Sequence, residues 1–159
     1  MKRLWAPWRM AWIGGARPDA GCVFCTARDG SDDRASLVLL RGVHAFLILN
    51  AYPYAPGHLM AVTNRHVAAL GDARAEELTD AMTLVQRAVT ALRTEYRAEG
   101  FNVGLNQGRV AGAGIDDHLH LHVVPRWRGD HNFVTVLGDT RVLPEDLTTT
   151  WDRLRSRVA

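Results

Sequence analysis

Several features are scarce or missing in this 159-residue chain, and each absence excludes a class of protein. Only two cysteines are present, so a zinc site built from four cysteines is excluded. No apolar run approaches the length of a membrane span, and no long polar or low-complexity tract occurs. The formal net charge is only +2 and the arginines are scattered, so no basic stripe for nucleic acid is evident. We therefore expect one globular domain that binds neither membranes nor nucleic acid.

The amino-terminal residues form a basic, tryptophan-rich arm, which we assign to residues 1–21. The opening sequence MKRLWAPWRMAWIGG lacks the continuous apolar stretch of a signal peptide, so we expect a cytoplasmic protein with reduced thiols. Trp5, Trp8 and Trp12 could contact a membrane surface or nucleic acid. Pro7 interrupts any long amphipathic helix, which favours an arm that buries its tryptophans against the body or a second subunit.

Apolar periodicity predicts a small sheet covered by one long helix. Short runs typical of strands cover residues 36–41, 43–50, 58–63, 101–107 and 118–124. Between them, residues 73–99 carry apolar side chains at three- and four-residue steps, as in a helix that covers a sheet. Asp72 is the predicted N-cap of this helix and Gly100 its predicted end. After an apolar stretch from Phe133 to Leu137, a closing helix is predicted from Pro144 onward.

The two cysteines form the pair Cys22-Val-Phe-Cys25. This spacing occurs in zinc sites and in thioredoxin-type redox centres. A redox pair of that type opens a helix directly after a strand, and no strand pattern precedes Cys22. A zinc site, in turn, would need two histidines from elsewhere in the chain. From the residues alone, both interpretations remain open.

Three histidines alternate with apolar residues in the run HLHLHVV, which begins at His118. Side chains on a strand alternate between its two faces. His118, His120 and His122 would therefore share one face, while Leu119 and Leu121 enter a core. One strand face rarely needs three imidazoles for packing, so we predict that this run carries the functional site.

A glycine-containing loop, NQGRVAGAG from Asn106 to Gly114, leads into the histidine run. Glycine allows backbone amides to approach an anionic group closely, so the loop is a candidate phosphate-binding segment. Its position directly before three histidines strengthens that interpretation. The single histidines at predicted strand ends, His44 and His58, are assigned to packing.

Together these features resemble the histidine triad family. The resemblance rests on the run HLHLHVV, on Asn106 with its glycine loop, and on the pattern N-x₅-PGH that begins at Asn50. It extends from about Cys22 to Trp127. The segments LWAPWRM, CVFC and HVVPRW–GD–NF are similar to the branch that contains bacterial diadenosine polyphosphate phosphorylases and hydrolases.

The resemblance implies an α+β histidine triad fold over residues 22–132. We expect an antiparallel sheet with one long covering helix and a C-terminal helix, the latter within a 133–159 extension packed on the domain. The sheet is expected to extend across a homodimer. A structural zinc is also implied, and no organic cofactor is expected. The implied zinc ligands are Cys22, Cys25, His66 and His118.

The activity implied by the resemblance is cleavage at the α-phosphate of a dinucleoside polyphosphate, such as diadenosine tetraphosphate, or of a related nucleotide anhydride. The family pattern assigns the nucleophile to His120, which would form a covalent nucleotidyl-histidine, and a backbone carbonyl would hold its other ring nitrogen. His122 would bind phosphate or protonate the leaving group, and water or phosphate would discharge the intermediate. The implied substrate-binding residues, for ribose and for the phosphate oxygens, are Asn50, Asn106, Ala113, Gly114, His120 and His122.

Two positions depart from the family pattern, and two other functions stay open. Gly114 stands where many relatives carry a hydroxyl or amide side chain, and Asp116 and Asp117 place negative charge near the site, although we expect these carboxylates to face solvent. The histidines could instead bind a catalytic metal with Asp116 or Asp117, giving a metal-dependent phosphoesterase. The protein could also be a non-catalytic, zinc-stabilised nucleotide-binding module, which would bind nucleotide without turnover.

Overall fold

The computed structural model describes residues 21–130 and 144–159. Within these residues, five strands form one antiparallel sheet. The same two segments contain three α-helices, so their architecture is α+β, as predicted. Residues 1–20 of the tryptophan-rich arm and the apolar stretch from Phe133 to Leu137 lie outside the described residues. The elements are α1 (Val23–Asp29), β1 (Val38–Arg41), β2 (Ala45–Leu49), β3 (Leu59–Thr63), α2 (Ala75–Tyr96), β4 (Gly100–Gly104), β5 (His120–Arg126) and α3 (Leu147–Val158), with 3₁₀ turns at Leu70–Asp72 and Arg109–Ala111. In the sheet the strands lie in the order β1-β2-β3-β5-β4.

Both faces of the central strands are buried, because helices pack on each side of the sheet. Every residue of β2 and of β3 is buried. On one face, α2 and α3 complete a large apolar cluster with alternate strand residues such as Leu47 and Ala61. On the other face, Phe24 of α1 packs with the intervening residues, among them Met60 and Val62. Strand alternation therefore divides the sheet into an α2 face and an α1 face.

The register of β5 places two of the three histidines on the α1 face. His120 pairs with Val62 and His122 pairs with Met60, so both rings project towards α1. His118 lies just before β5 rather than within it, which corrects the prediction of one strand over residues 118–124. The chain bends there because the His118 ring is held by the carbonyl of Thr63 (2.7 Å), while the next residue, Leu119, bonds to Val67 through its amide (2.7 Å).

The long helix α2 is shorter at both ends than the apolar pattern predicted. Asp72 is not its N-cap; the helix begins at Ala75, and the amide of Arg74 donates to the Glu77 carboxylate at 2.8 Å. It ends at Tyr96 because Arg97 adopts a left-handed conformation (φ 50°), and Gly100 begins β4 instead of ending the helix. No helix in the two described segments is long and apolar enough to span a membrane.

The C-terminal helix α3 covers one edge of the sheet. The indole Nε1 of Trp151 donates to the carbonyl of Val38 (2.8 Å), and Arg155 donates to the carbonyl of Leu39 (2.7 Å). These two carbonyls belong to β1, so side chains of α3 satisfy edge groups that a further strand could otherwise bind. The opposite edge is formed by β4, whose residues 102–104 are exposed.

Candidate active site and metal centre

His120 is buried on the α1 face, and its hydrogen bond defines which ring nitrogen can react. Its Nδ1 lies 2.8 Å from the carbonyl oxygen of His118. A carbonyl only accepts, so Nδ1 carries the proton and Nε2 keeps its lone pair. Burial lowers the pKa of His120 below its ordinary value, which favours the neutral ring near pH 7. Phe24 packs against this ring with a centroid distance of 5.0 Å.

His122 has the opposite tautomer, because a second histidine holds it. The amide of Tyr54 donates to Nδ1 of His58 (3.1 Å), so the proton of His58 lies on Nε2. That nitrogen is 3.0 Å from Nδ1 of His122, which must accept, and His122 therefore carries its own proton on Nε2. The rings of His120 and His122 are 4.9 Å apart, so a lone pair and an N–H donor stand side by side.

The role of His58 was not predicted from the sequence, which assigned this residue to packing. His58 is completely buried, yet its ring forms the link between the Tyr54 amide and His122. The β3–β5 register, with Leu59 opposite Val123, makes His58 a diagonal neighbour of His122. Only knowledge of that pairing could have identified the contact. His44, also assigned to packing, lies in the β1–β2 turn, where its amide donates to Asp80 (2.6 Å).

A second cluster brings together the four predicted zinc ligands, whose donor atoms all lie within 4.8 Å of one another. Nδ1 of His118 is 3.2 Å from Sγ of Cys22, and Nδ1 of His66 is 3.3 Å from Sγ of Cys25. Two sulfurs and two imidazole nitrogens at these separations match a closed tetrahedral zinc site in donor type and number. The pair Cys22–Cys25 opens helix α1, as a redox pair would, but both thiols face histidines.

The protonation state of the cluster also suits a cation. His118 donates through Nε2 to the carbonyl of Thr63 (2.7 Å), so Nδ1, which faces the thiols, keeps its lone pair. Burial lowers the pKa of His118 and raises the pKa of the Cys22 thiol. The surroundings thus favour a neutral ring and disfavour an uncompensated thiolate, and a bound Zn²⁺ would stabilise that thiolate.

One residue, His118, links the two sites. Its ring belongs to the donor cluster, while its carbonyl oxygen holds Nδ1 of His120. Helix α1 provides a second link, because it carries Cys22 and Cys25 and also places Phe24 against the rings of both His118 (5.5 Å) and His120 (5.0 Å).

A cavity of about 860 Å³ adjoins the histidine pair, and Asn106 and His122 both line it. The glycine loop turns at Gly108 and Gly112, which have φ values of 81° and 89° that glycine adopts without strain. The amide of Ala113 donates to the carbonyl of Gly108 (3.3 Å) and so takes part in the turn itself. Gly114, in contrast, is exposed.

Asn50 lies beside the histidine relay rather than on the triad strand. Its side-chain oxygen accepts the amide of Tyr52 (2.9 Å), and its Nδ2 lies 3.3 Å from Nδ1 of His58. The structure therefore brings Asn50 to His58, and His58 to His122. The same loop contributes Tyr54, whose ring packs 4.5 Å from that of His58.

The two acidic residues before the triad have different environments. Asp116 pairs with Arg109 of the glycine loop at 2.9 Å, whereas the Asp117 side chain is 62% exposed and lies 3.7 Å from Nε2 of His66. The expectation that both simply face solvent is thus incomplete. Within residues 21–130 and 144–159, the metal-competent cluster consists of the cysteine pair with His66 and His118, and it includes neither aspartate.

Comparison with known proteins agrees with this geometry. The chain is 40% identical to an AP-4-A phosphorylase of Mycobacterium tuberculosis over 157 residues, which span 94% of this chain and 80% of that protein. It is 32% identical over 95 residues to a bis(5'-nucleosyl)-tetraphosphatase [asymmetrical] of Schizosaccharomyces pombe, spanning 60% of this chain and 52% of the relative.

Among solved structures, the chain is similar to a Zn-bound histidine triad family protein from Mycobacterium smegmatis. The TM-score is 0.71 with 28% sequence identity, and the match covers 87% of this chain and 93% of the other. The HIT domain itself matches residues 33–129, which contain all five strands, α2 and the three histidines. By sequence, fold and the arrangement of its histidines, the chain belongs to the HIT domain family.

Proposed function

We propose that the protein is a nucleotide phosphoanhydride hydrolase or nucleotidyltransferase that cleaves dinucleoside polyphosphates at the α-phosphate through a nucleotidyl-His120 intermediate. The observation that carries this proposal is the pair of complementary tautomers. His120 offers a lone pair on Nε2, since its Nδ1–H is held by a carbonyl. His122 offers an N–H donor, since its Nδ1 accepts from His58. A nucleophile and a hydrogen-bond donor for the leaving group are therefore adjacent on one strand.

In the first step, Nε2 of His120 forms a bond to the α-phosphorus, and the bond from that phosphorus to the bridging oxygen breaks. The nucleoside polyphosphate leaves as an anion, and its departing oxygen accepts a hydrogen bond from the Nε2–H of His122, whose other nitrogen receives a hydrogen bond from His58. In the second step, phosphate or water attacks the phosphorus, and the bond to His120 breaks, which restores the lone pair on Nε2; when water attacks, its proton is released to solvent. Phosphate as acceptor releases a nucleoside diphosphate, whereas water releases a nucleoside monophosphate.

The non-bridging phosphate oxygens would be held by the glycine loop and Asn106. Asn106 lines the same cavity as His122, and the exposed backbone at Gly114 can approach an anion without obstruction from a side chain. Gly114 lacks the hydroxyl or amide group that many relatives carry, so its backbone amide would provide the contact. Ala113, whose amide is engaged with Gly108, would shape the loop. Asn50 would contact the ribose hydroxyls next to the histidine relay.

We also assign a structural zinc to Cys22, Cys25, His66 and His118. Their four donor atoms converge, and a similar family structure is described as Zn-bound. A cation bound there would cross-link α1, the segment after β3 and the residue just before β5. The reaction itself would take place at the neighbouring histidines. The chain's own contribution is the His118 carbonyl, which orients the nucleophile.

The β4 edge supports a homodimer. The β1 edge is covered by α3, and among the described residues β4 pairs with β5 alone. Val103, near the end of β4, is 45% exposed. An uncovered edge strand with an exposed apolar residue is suited to pairing with a second copy, which would join two sheets into one.

The names of the relatives support a dinucleoside polyphosphate as substrate, since one is an AP-4-A phosphorylase and another a bis(5'-nucleosyl)-tetraphosphatase. Incubation with diadenosine tetraphosphate, with and without phosphate, tests the proposal and identifies the acceptor. ADP plus ATP formed only with phosphate indicates a phosphorylase, and AMP plus ATP indicates a hydrolase. No cleavage by a protein that binds the nucleotide would support the non-catalytic alternative, and cleavage abolished by a chelator without covalent nucleotide would support the metal-dependent one.

A further inference from the structure

His66 is the least constrained of the four metal-facing residues. His118 is 1% exposed and its Nε2 is fixed by the carbonyl of Thr63. The side chain of His66, in contrast, is 44% exposed and lies on the irregular segment that follows β3. A ligand on such a segment loses more conformational freedom when it binds a metal. A contact that orients its ring beforehand therefore affects metal affinity directly.

The two metal-facing histidines use their nitrogens in the same way. Each directs Nδ1 towards a cysteine sulfur, at 3.2 Å for His118 and 3.3 Å for His66. Each turns Nε2 towards an oxygen. For His118 this is a hydrogen bond to the carbonyl of Thr63 at 2.7 Å, and for His66 it is a longer electrostatic contact with Oδ2 of Asp117 at 3.7 Å. Metal-bound histidines commonly direct their second nitrogen to a carbonyl or carboxylate, which sets the tautomer and the ring orientation.

We propose that Asp117 is a positioning residue for His66: its carboxylate attracts the Nε2–H of the ring and holds Nδ1 in the direction of the metal. This inference rests on the zinc site of the proposed function and adds a residue outside the four ligands. Asp117 does not belong to the converging donor set found in the described part of the chain, so it acts through His66 rather than on the metal.

The neighbouring aspartate is not suited to this role. Asp116 is engaged with Nε of Arg109 at 2.9 Å, on the glycine loop, whereas Asp117 faces His66. The two residues are adjacent and carry the same charge. Asp116→Asn is therefore a matched control that removes an equal charge at nearly the same place without removing the contact to His66.

The experiment compares the zinc affinity of the parent protein, Asp117→Asn, Asp117→Glu and Asp116→Asn by competition with a chromogenic chelator. Loss of an outer carboxylate typically weakens metal binding about 10- to 100-fold. Because the Asp117 side chain is well exposed, we expect a loss near the lower limit, roughly tenfold. Asp116→Asn should stay within about twofold of the parent. Asp117→Glu keeps a carboxylate near His66 and should recover most of the affinity.

Thermal unfolding after removal of zinc separates positioning from a general structural role. Metal-free Asp117→Asn should melt with the metal-free parent, and the two should differ only when zinc is bound. Asp117→Asn with the zinc affinity of the parent would overturn the inference, as would equal destabilisation of the metal-free and zinc-loaded forms. A parent protein that binds no zinc would refute the proposed metal site itself, a result that the first titration reveals separately.

Discussion

Glu77 ties the segment that carries His66 to the start of α2, and its ionisation predicts a measurable dependence of stability on pH. Its side chain is 5% exposed. Both carboxylate oxygens accept from Arg65 at 2.8 Å, and Oε2 also accepts the amide of Arg74 at 2.8 Å. Chiefly because of the hydrogen bonds from Arg65, the pKa of Glu77 is lowered from 4.5 to about 2.

Glu77→Gln keeps the size of the side chain and removes its charge. A pKa depression of that size corresponds to about 3 kcal/mol of stability at neutral pH. Arg65 is 39% exposed, so solvent screens part of the attraction, and we expect the variant to lose about 2 kcal/mol. The folded-state pKa lies below the unfolded-state value. The stabilisation is therefore fully present above about pH 4.5 and is lost as the pH falls towards about 2, so parent and variant should converge in that window.

Urea unfolding followed by circular dichroism, at several pH values between neutral and about 3, measures this difference in the free energy of unfolding. Both proteins are treated with a chelator, so that protonation of metal ligands does not contribute. Glu76→Gln is the matched control, because Glu76 is the exposed neighbour in the same helical turn; its effect should stay below about 0.5 kcal/mol. A similarly small effect of Glu77→Gln at neutral pH, or a difference that stays constant down to pH 3, would refute the reasoning.

The remaining predictions concern the reaction, the metal and the assembly. His120→Asn should bind nucleotide nearly as well as the parent but turn over at least about a thousandfold more slowly. After alkaline quenching, this variant should retain no covalently bound nucleotide. Turnover at the rate of the parent would exclude His120 as the nucleophile. Cys25→Ser should lose zinc in elemental analysis and melt at a lower temperature than the parent, and equal zinc content in both proteins would contradict the ligand assignment. Light scattering at micromolar concentration should give the mass of a dimer for the parent. Val103→Lys, on the β4 edge, should give a lower mass. A monomeric mass for the parent would contradict the proposed dimer.

The sheet and its covering helix were predictable because their signals are local. Apolar runs and three- and four-residue steps depend only on neighbouring residues, and all five predicted strands overlap observed ones. The ends of α2 were not predictable in the same way. Asp72 and Gly100 are residue types that commonly flank helices, but the backbone of Arg97 turns left-handed first, and Glu77 binds the amide of Arg74 at the other end. The division into an arm, a domain and a C-terminal extension stays a prediction.

The sequence predicted where the candidate site lies better than it predicted how the side chains of the site contact one another. Alternation on a strand placed His120 and His122 together, and the structure adds His66, Cys22 and Cys25 in one cluster, as the family resemblance implied. The contact between His58 and His122 depends on the pairing of β3 with β5, two strands separated by more than fifty residues. No local pattern encodes such a pairing, and a single histidine at a strand end is ordinarily a packing residue.

The three triad histidines have identical side chains, yet they differ in what their second ring nitrogen can do. In each ring, the hydrogen bond made by one nitrogen decides whether the other nitrogen is a donor or an acceptor. A neutral imidazole has one donor and one acceptor, so fixing one nitrogen determines the other. In His118 and His120 a carbonyl holds the N–H, which leaves a lone pair on the other ring nitrogen. In the proposed function that lone pair would bind a cation at His118 and attack phosphorus at His120. In His122 the acceptor nitrogen is engaged by His58, which leaves an N–H on Nε2 as a hydrogen-bond donor. The carbonyl that holds His120 belongs to His118, so a disturbance of the cysteine–histidine cluster would reach the proposed nucleophile through one residue. His122 is held independently, by a residue next to β3.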